Sequence, residues 1–244
     1  MTETPLAAAP APNVLSRAIG IIFSPRATFE QIVQAPKVLG IILLAGLTIG
    51  LSQGLPQLTE SGRQAMLDTQ VQQSERFSGQ PVSDEQYARM EQFSAYTAYG
   101  TIVSTPVFNA LIVVIMSGLY FVAFNVVLGG TGTFKQVMAV TAHSGVIAAL
   151  GALLAAPVQY FQGVSSPMGP FTLGAVLPML EETSFLARFL GFISVFSIWG
   201  CFVSAIGFSV LYRRKAGNIA IGLLALMAGF AAVFAAIMGL FSGR

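Results

Sequence analysis

Residues Leu128 to Ser144 read LGGTGTFKQVMAVTAHS, and this stretch decides the fold. Its one fully charged residue is Lys135, and the runs on either side, Gln92 to Phe134 and Gln136 to Leu180, contain no Asp, Glu, Lys or Arg. Gly129, Gly130 and Gly132 permit positive φ, and Thr133 followed three residues later by Gln136 forms a Thr-x-x-Gln capping box. The stretch reads as a tight turn that ends one apolar helix and caps the next, a hinge between two membrane spans.

Composition agrees with that reading. Hydrophobic residues make up 55% of the 244 and charged residues only 9%, against about 25% charged in soluble domains, and mean hydropathy is +0.75. The expected fold class is all-α: one polytopic membrane bundle of five transmembrane helices with an N-terminal amphipathic interfacial segment. The formal charge of +2 is small and scattered, which excludes nucleic acid as a partner. Cys201 stands alone, so no intramolecular disulfide forms.

In chain order, residues 1–13 are Ala/Pro-rich, without a basic n-region, and are expected to be a disordered tail, leaving the first span to act as its own insertion signal. Val14, Leu15, Ala18, Ile19 and Ile22 share one helical face, and Phe29, Ile32 and Val33 share another beyond a Ser24-Pro25 helix start. With Arg17, Arg26 and Lys37 nearby, the segment either lies along the inner membrane surface or packs under the bundle.

The first span is placed at 38–58, where Gly46, Gly50 and Gly54 form a small-residue stripe expected to pack within the chain. Residues 59–96 form the one sizeable polar segment, expected as a solvated, partly helical outer loop with a Ser83–Gln86 capping box. Further spans are placed at 101–128, 134–161, 189–212 and 217–241, with Gln162 to Leu186 crossing nothing and lying at the outer interface. In the last span Gly222, Ala225, Gly229, Ala232, Ala236 and Gly239 draw a continuous small-residue seam, expected to face the bundle while Leu226, Val233 and Leu240 face lipid.

Basic residues orient the chain. An inner N-terminus puts Arg17, Arg26, Lys37, Lys135, Arg213, Arg214 and Lys215 inside, and Arg63, Arg76, Arg89, Arg188 and Arg244 outside. The short loops carry the bias, and those are the loops that set topology. The N-terminus is expected in the cytoplasm and the C-terminus outside.

Chemistry-bearing patterns are few. The turn GGTGTFK departs from a phosphate loop, which needs GxxxxGK followed by Ser or Thr between strand and helix. Glu181 and Glu182 followed by Arg188 invite comparison with intramembrane CAAX-type proteases, but the spacing differs and His143 is the chain's one histidine, so no catalytic zinc site assembles from a single chain. No metal, no cofactor and no enzymatic activity are expected. The candidate intramembrane polar site is His143, about 14 Å along its helix, with Ser117 and Ser204 at similar depth. A neutral histidine hydrogen-bonded to a serine is the packing explanation, and a transport role is the functional one.

Three stretches together resemble the Yip family of multi-pass membrane proteins, in its bacterial branch: Phe23-Ser24-Pro25-Arg26 with Phe29, Ile32 and Pro36; Gly129 to Val140; and Phe196 to Lys215, where FSIW runs through AIGFSVLYRRK into the last span. The resemblance covers about Ile22 to Ala220 apart from the acidic outer loop, so residues 14–244 are expected to be one Yip-like domain. It implies five spans, a cytoplasmic N-terminus and an outer C-terminus. Eukaryotic members associate with Rab-type GTPases, but this chain lacks their Asp-Leu-x-Gly-Pro type motif, which argues against carrying that partner over. Bacterial relatives often carry an acidic residue before the FxxW segment, where this chain has Ser194 and Val195. The expectation is a non-enzymatic scaffold or membrane-organising protein of a bacterial inner membrane, in contact with lipid and with another membrane protein or a second copy. The alternative is a small-solute or ion transporter or channel.

Overall fold

The computed structural model describes residues 13–163, 169–177, 179–181 and 184–241. The expected tail therefore lies outside the described residues except for Asn13, as do Glu182 and Arg244. Asn13 accepts a hydrogen bond from the Ser16 backbone N–H at 2.7 Å and so caps α1 (Val14–Phe23). Pro25, which has no N–H to leave unsatisfied, opens α2 (Pro25–Gln34). There follow α3 (Leu39–Gly54), α4 (Glu60–Ser78), α5 (Asp84–Phe121), α6 (Phe134–Ser144), α7 (Val146–Gln162), α8 (Phe185–Gly191), α9 (Val195–Tyr212) and α10 (Ala216–Phe241).

Among the described residues the fold is all-helical, its one extended pairing being the isolated bridge between Thr172 and Ser194. Five helical segments are long and apolar enough to cross a membrane: Leu39–Leu58, Asp84–Val127, Phe134–Gln162, Val195–Tyr212 and Ala216–Leu240. Their succession brings residues 13–38, 128–133 and 213–215 to one end of the bundle and α4 and α8 to the other.

The polar segment is largely exposed and helical over most of its length. Thr59 caps α4, Gly79 closes it with φ +68°, and the Ser83–Gln86 box starts α5, which runs unbroken from polar residues into the membrane. Arg63 pairs with Glu60 and Arg89 with Glu85 one turn away along the same helices, and Leu67 is buried. Caps and intrahelical pairs thus sustain α4, where no apolar periodicity signals a helix, while Tyr87, Met90 and Phe93 at helical spacing mark the start of α5. The fourth span starts at Val195 rather than 189. Phe189 belongs to α8, and the chain breaks because Val195 N–H donates to the Phe171 carbonyl and Leu173 N–H to that of Ile193. Gly145 divides the third span into α6 and α7.

Glycines let α3 press against α5. A β-carbon at Gly46 would stand 2.7 Å from Pro106 Cα, one at Gly50 3.1 Å from the Ile102 carbonyl oxygen and one at Gly54 2.9 Å from that of Ala98. Pro106 cannot donate to Ile102, and close backbone approach covers the freed carbonyl. The seam on α10 behaves otherwise, which corrects the expectation above. Gly222 and Gly229 have nothing within 4 Å of an added β-carbon, while Ile219, Ala220, Leu223, Ala231 and Ala235 are the buried residues. Of the seam residues, Gly222, Ala225, Gly229 and Ala236 are exposed, and a β-carbon at Gly239 would stand 3.0 Å from Arg188 Nη1.

The core lies where α2 meets α6 and α9. Phe29, Ile32, Val137, Val140 and Phe208 are fully buried, and a β-carbon at Gly207 would stand 2.6 Å from Val140 Cγ1 and 2.9 Å from Phe29 Cζ. The N-terminal helices therefore pack under the bundle. The apolar face expected on α1 is rotated: Arg17, Ala18 and Ile21 point inward, whereas Leu15 and Ile19 are exposed, as is Phe23 (79%). At a membrane interface lipid can cover the apolar side chains left outside, which leaves Arg17 free to turn in beside Ala18 and Ile21.

Candidate functional site

The glycine turn is built by the end of the preceding helix. Residues Val122–Val127 form a π-helical turn, the wider winding often found at functional positions. It places Asn125 against Gly132: Asn125 Nδ2 donates to the Gly132 carbonyl at 2.6 Å and Gly132 N–H donates to Asn125 Oδ1 at 3.1 Å. Gly129 is the one of the three glycines that takes positive φ, at +67°. Gly130 and Gly132 are small for another reason, since β-carbons there would stand 2.6 Å and 2.9 Å from the ring and hydroxyl of Tyr212. Thr133 and Gln136 then form the reciprocal cap of α6.

Two further segments close on this turn. Gln136 Nε2 donates to the Val33 carbonyl at 3.1 Å, joining the turn to the end of α2. Arg214 Nη2 donates to the Leu128 carbonyl at 2.7 Å, joining it to the turn between α9 and α10. Behind them Tyr212 stacks on Phe124 at 4.9 Å, Phe124 on Phe208 at 4.8 Å, and Tyr120 meets Phe208 edge-on. The hinge is thus a tied, aromatic-backed face rather than a free joint. Arg26 pairs with Glu30 on that face, while Lys135, Arg213 and Lys215 are exposed and form no ion pair with a described residue.

His143 and Ser117, two of the three residues of the candidate intramembrane polar site, each bond to a backbone carbonyl of their own helix. His143 is buried and its Nδ1–H donates to the Ala139 carbonyl at 2.8 Å. Its ring borders a cavity of about 270 Å³ shared with Arg17 and Lys37. Ser117 donates to the Val113 carbonyl of its own helix at 2.5 Å. Ser204 borders a different cavity, about 380 Å³ and largely apolar, between α5, α6, α9 and α10. Among the described residues no three of His, Cys, Asp and Glu stand close enough to hold a metal ion.

Sequence reasoning missed Asn125, Tyr212 and the inward turn of Arg17. An Asn seven residues before a glycine in a tight turn was the available signal for the first. The other two depend on contacts distant in sequence.

These features define a polytopic, all-helical membrane protein whose N-terminal helices, glycine turn and basic turn interlock at one end of the bundle. The Yip1 domain model matches residues 19–238, and the chain belongs to that family. The segments by which the sequence resembles the family are the ones that interlock. The chain is 25% identical over 223 residues to "Membrane protein YknW" of Bacillus subtilis (strain 168), covering 91% of this chain and 89% of the relative. No solved structure matches the chain.

Proposed function

We propose that the protein is a non-enzymatic scaffold of a bacterial inner membrane, whose interlocked face lies in the cytoplasm and engages another membrane protein or a second copy of the chain. The observation that carries this reading is the convergence of α2, the glycine turn and the Arg213–Lys215 turn on one rigid surface, with Lys135, Arg213 and Lys215 exposed there and unpaired among the described residues. Exposed cations held on a rigid frame suit recognition of an acidic surface. Clustered in short loops, they also support an inner location for that face, with the C-terminus outside.

Photo-crosslinking in native membranes tests the reading. A crosslinking side chain at Lys135 or Lys215 is expected to capture a discrete protein or a second copy, and one at Ser74, on the opposite end, is not. Equal capture from both ends removes the proposed surface. Solute or ion flux through reconstituted vesicles that is lost in His143→Asn establishes the transporter alternative instead.

A further inference from the structure

Apart from Asn13, the polar residues that line the cavity beside His143 are basic: Arg17, Lys37 and His143 itself. Arg17 projects into the protein and is only 6% exposed, yet its Nε has no hydrogen-bond partner. No described carboxylate pairs with it: on this end of the bundle the described residues include a single acid, Glu30, which is held by Arg26. A buried guanidinium without a counter-charge is costly, so its retention needs an explanation. Lys37 is exposed and His143 is buried, while Asp and Glu are absent from the lining.

A second feature points the same way. Gly40 and Ile41, in the first turn of α3, line the cavity too. That helix starts at Leu39 without any side-chain cap, so its first amides have no partner from a capping residue. Sixteen aligned peptides also place the positive end of the helix dipole there. Uncapped amides, a buried arginine and a lysine together make the arrangement that binds phosphate. With Nδ1–H committed to Ala139, His143 Nε2 is the ring nitrogen left to accept from a protonated phosphate oxygen.

We infer that the cavity between α1, the start of α3 and His143 binds a phosphate group, held by Arg17, Lys37 and the first-turn amides of α3. Its position at a membrane interface fits a phospholipid headgroup: Leu15, Ile19 and Phe23 are exposed on the outer side of the same α1, where acyl chains would cover them. At about 270 Å³ the space far exceeds what one water needs. This inference is independent of the scaffold reading.

Binding to the purified full chain in an uncharged detergent tests it, followed by thermal shift and by retention of lipid in native mass spectrometry. Phosphatidylglycerol is expected to stabilise the protein, and diacylglycerol with the same acyl chains, lacking phosphate, is not. Arg17→Gln should weaken the apparent affinity by about tenfold or more, and Lys37→Gln, at an exposed position, by a few-fold. If inorganic phosphate alone reproduces the shift with the same dependence on Arg17 and Lys37, the site takes free phosphate rather than a headgroup. Should Arg17→Gln fail to fold, Lys37→Gln carries the comparison. Unchanged affinity in Lys37→Gln together with either equal binding by Arg17→Gln or an equal response to diacylglycerol overturns the inference.

Discussion

Arg214 donates to the carbonyl of Leu128, 86 residues earlier, at 2.7 Å, and so ties the turn between the last two spans to the glycine turn. The Leu128 carbonyl lies where the π-helical turn that continues α5 ends, and a helix end has carbonyls to satisfy from outside. Arg214→Gln should therefore lower stability in detergent by roughly 1 kcal/mol, the value of a charge-assisted bond discounted for exposure, with Arg214→Lys intermediate. Thermal unfolding reads the effect, and an unshifted midpoint in Arg214→Gln would mean that the tie carries no weight.

Tyr212 separates ring from hydroxyl. Its ring fills the space left by Gly130 and Gly132 and stacks on Phe124, while its buried hydroxyl has no hydrogen-bond partner. Tyr212→Phe should be neutral or stabilising, and Tyr212→Ala should cost about 3–5 kcal/mol. A destabilised Phe variant would reveal a partner for the hydroxyl.

Gly207 and Phe29 form a testable pair. A methyl at Gly207 would press on Phe29 and Val140, so Gly207→Ala should cost about 1–3 kcal/mol. Phe29→Leu frees room, and the double variant should be less destabilised than the sum of the two changes. Strict additivity in a double-mutant cycle would show that the two side chains do not share the space.

Two glycine seams should respond in opposite ways. Gly54→Ala sets a methyl against the Ile102 side chain and the Ala98 carbonyl, whereas Gly229→Ala meets nothing within 4 Å. The first should lower the midpoint of thermal unfolding in detergent and the second leave it unchanged. A stability loss confined to Gly229→Ala would place the α10 seam in a homo-oligomer contact.

These seams also show what the sequence could and could not disclose. Small residues at spacings of three and four show that another backbone can approach, not that one does. On α3 the stripe meets Pro106 and Ile102 of α5, while α10 packs chiefly on α8 and α9 through its other side. The hinge was legible because capping boxes and glycine turns are local signals. Arg17 was not, because apolar periodicity identifies a face without saying whether lipid or protein covers it. Likewise, equal depth of His143, Ser117 and Ser204 on neighbouring helices did not disclose that His143 bonds to the Ala139 carbonyl of its own helix. Depth along a span leaves the azimuth free, and His143 turns toward α1.

Lys135 and the Arg213–Lys215 turn stand at the same end of the bundle as α2, and the proposed scaffold role requires that end to be cytoplasmic. Single cysteines at Ser74, Lys135 and Lys215, in a Cys201→Ser background, place them relative to the membrane when intact cells are treated with a membrane-impermeant thiol reagent. Position 74 should label in intact cells, and positions 135 and 215 only after the membrane is permeabilised. Labelling of 135 or 215 from outside, or opposite behaviour at those two positions, would contradict the shared inner face.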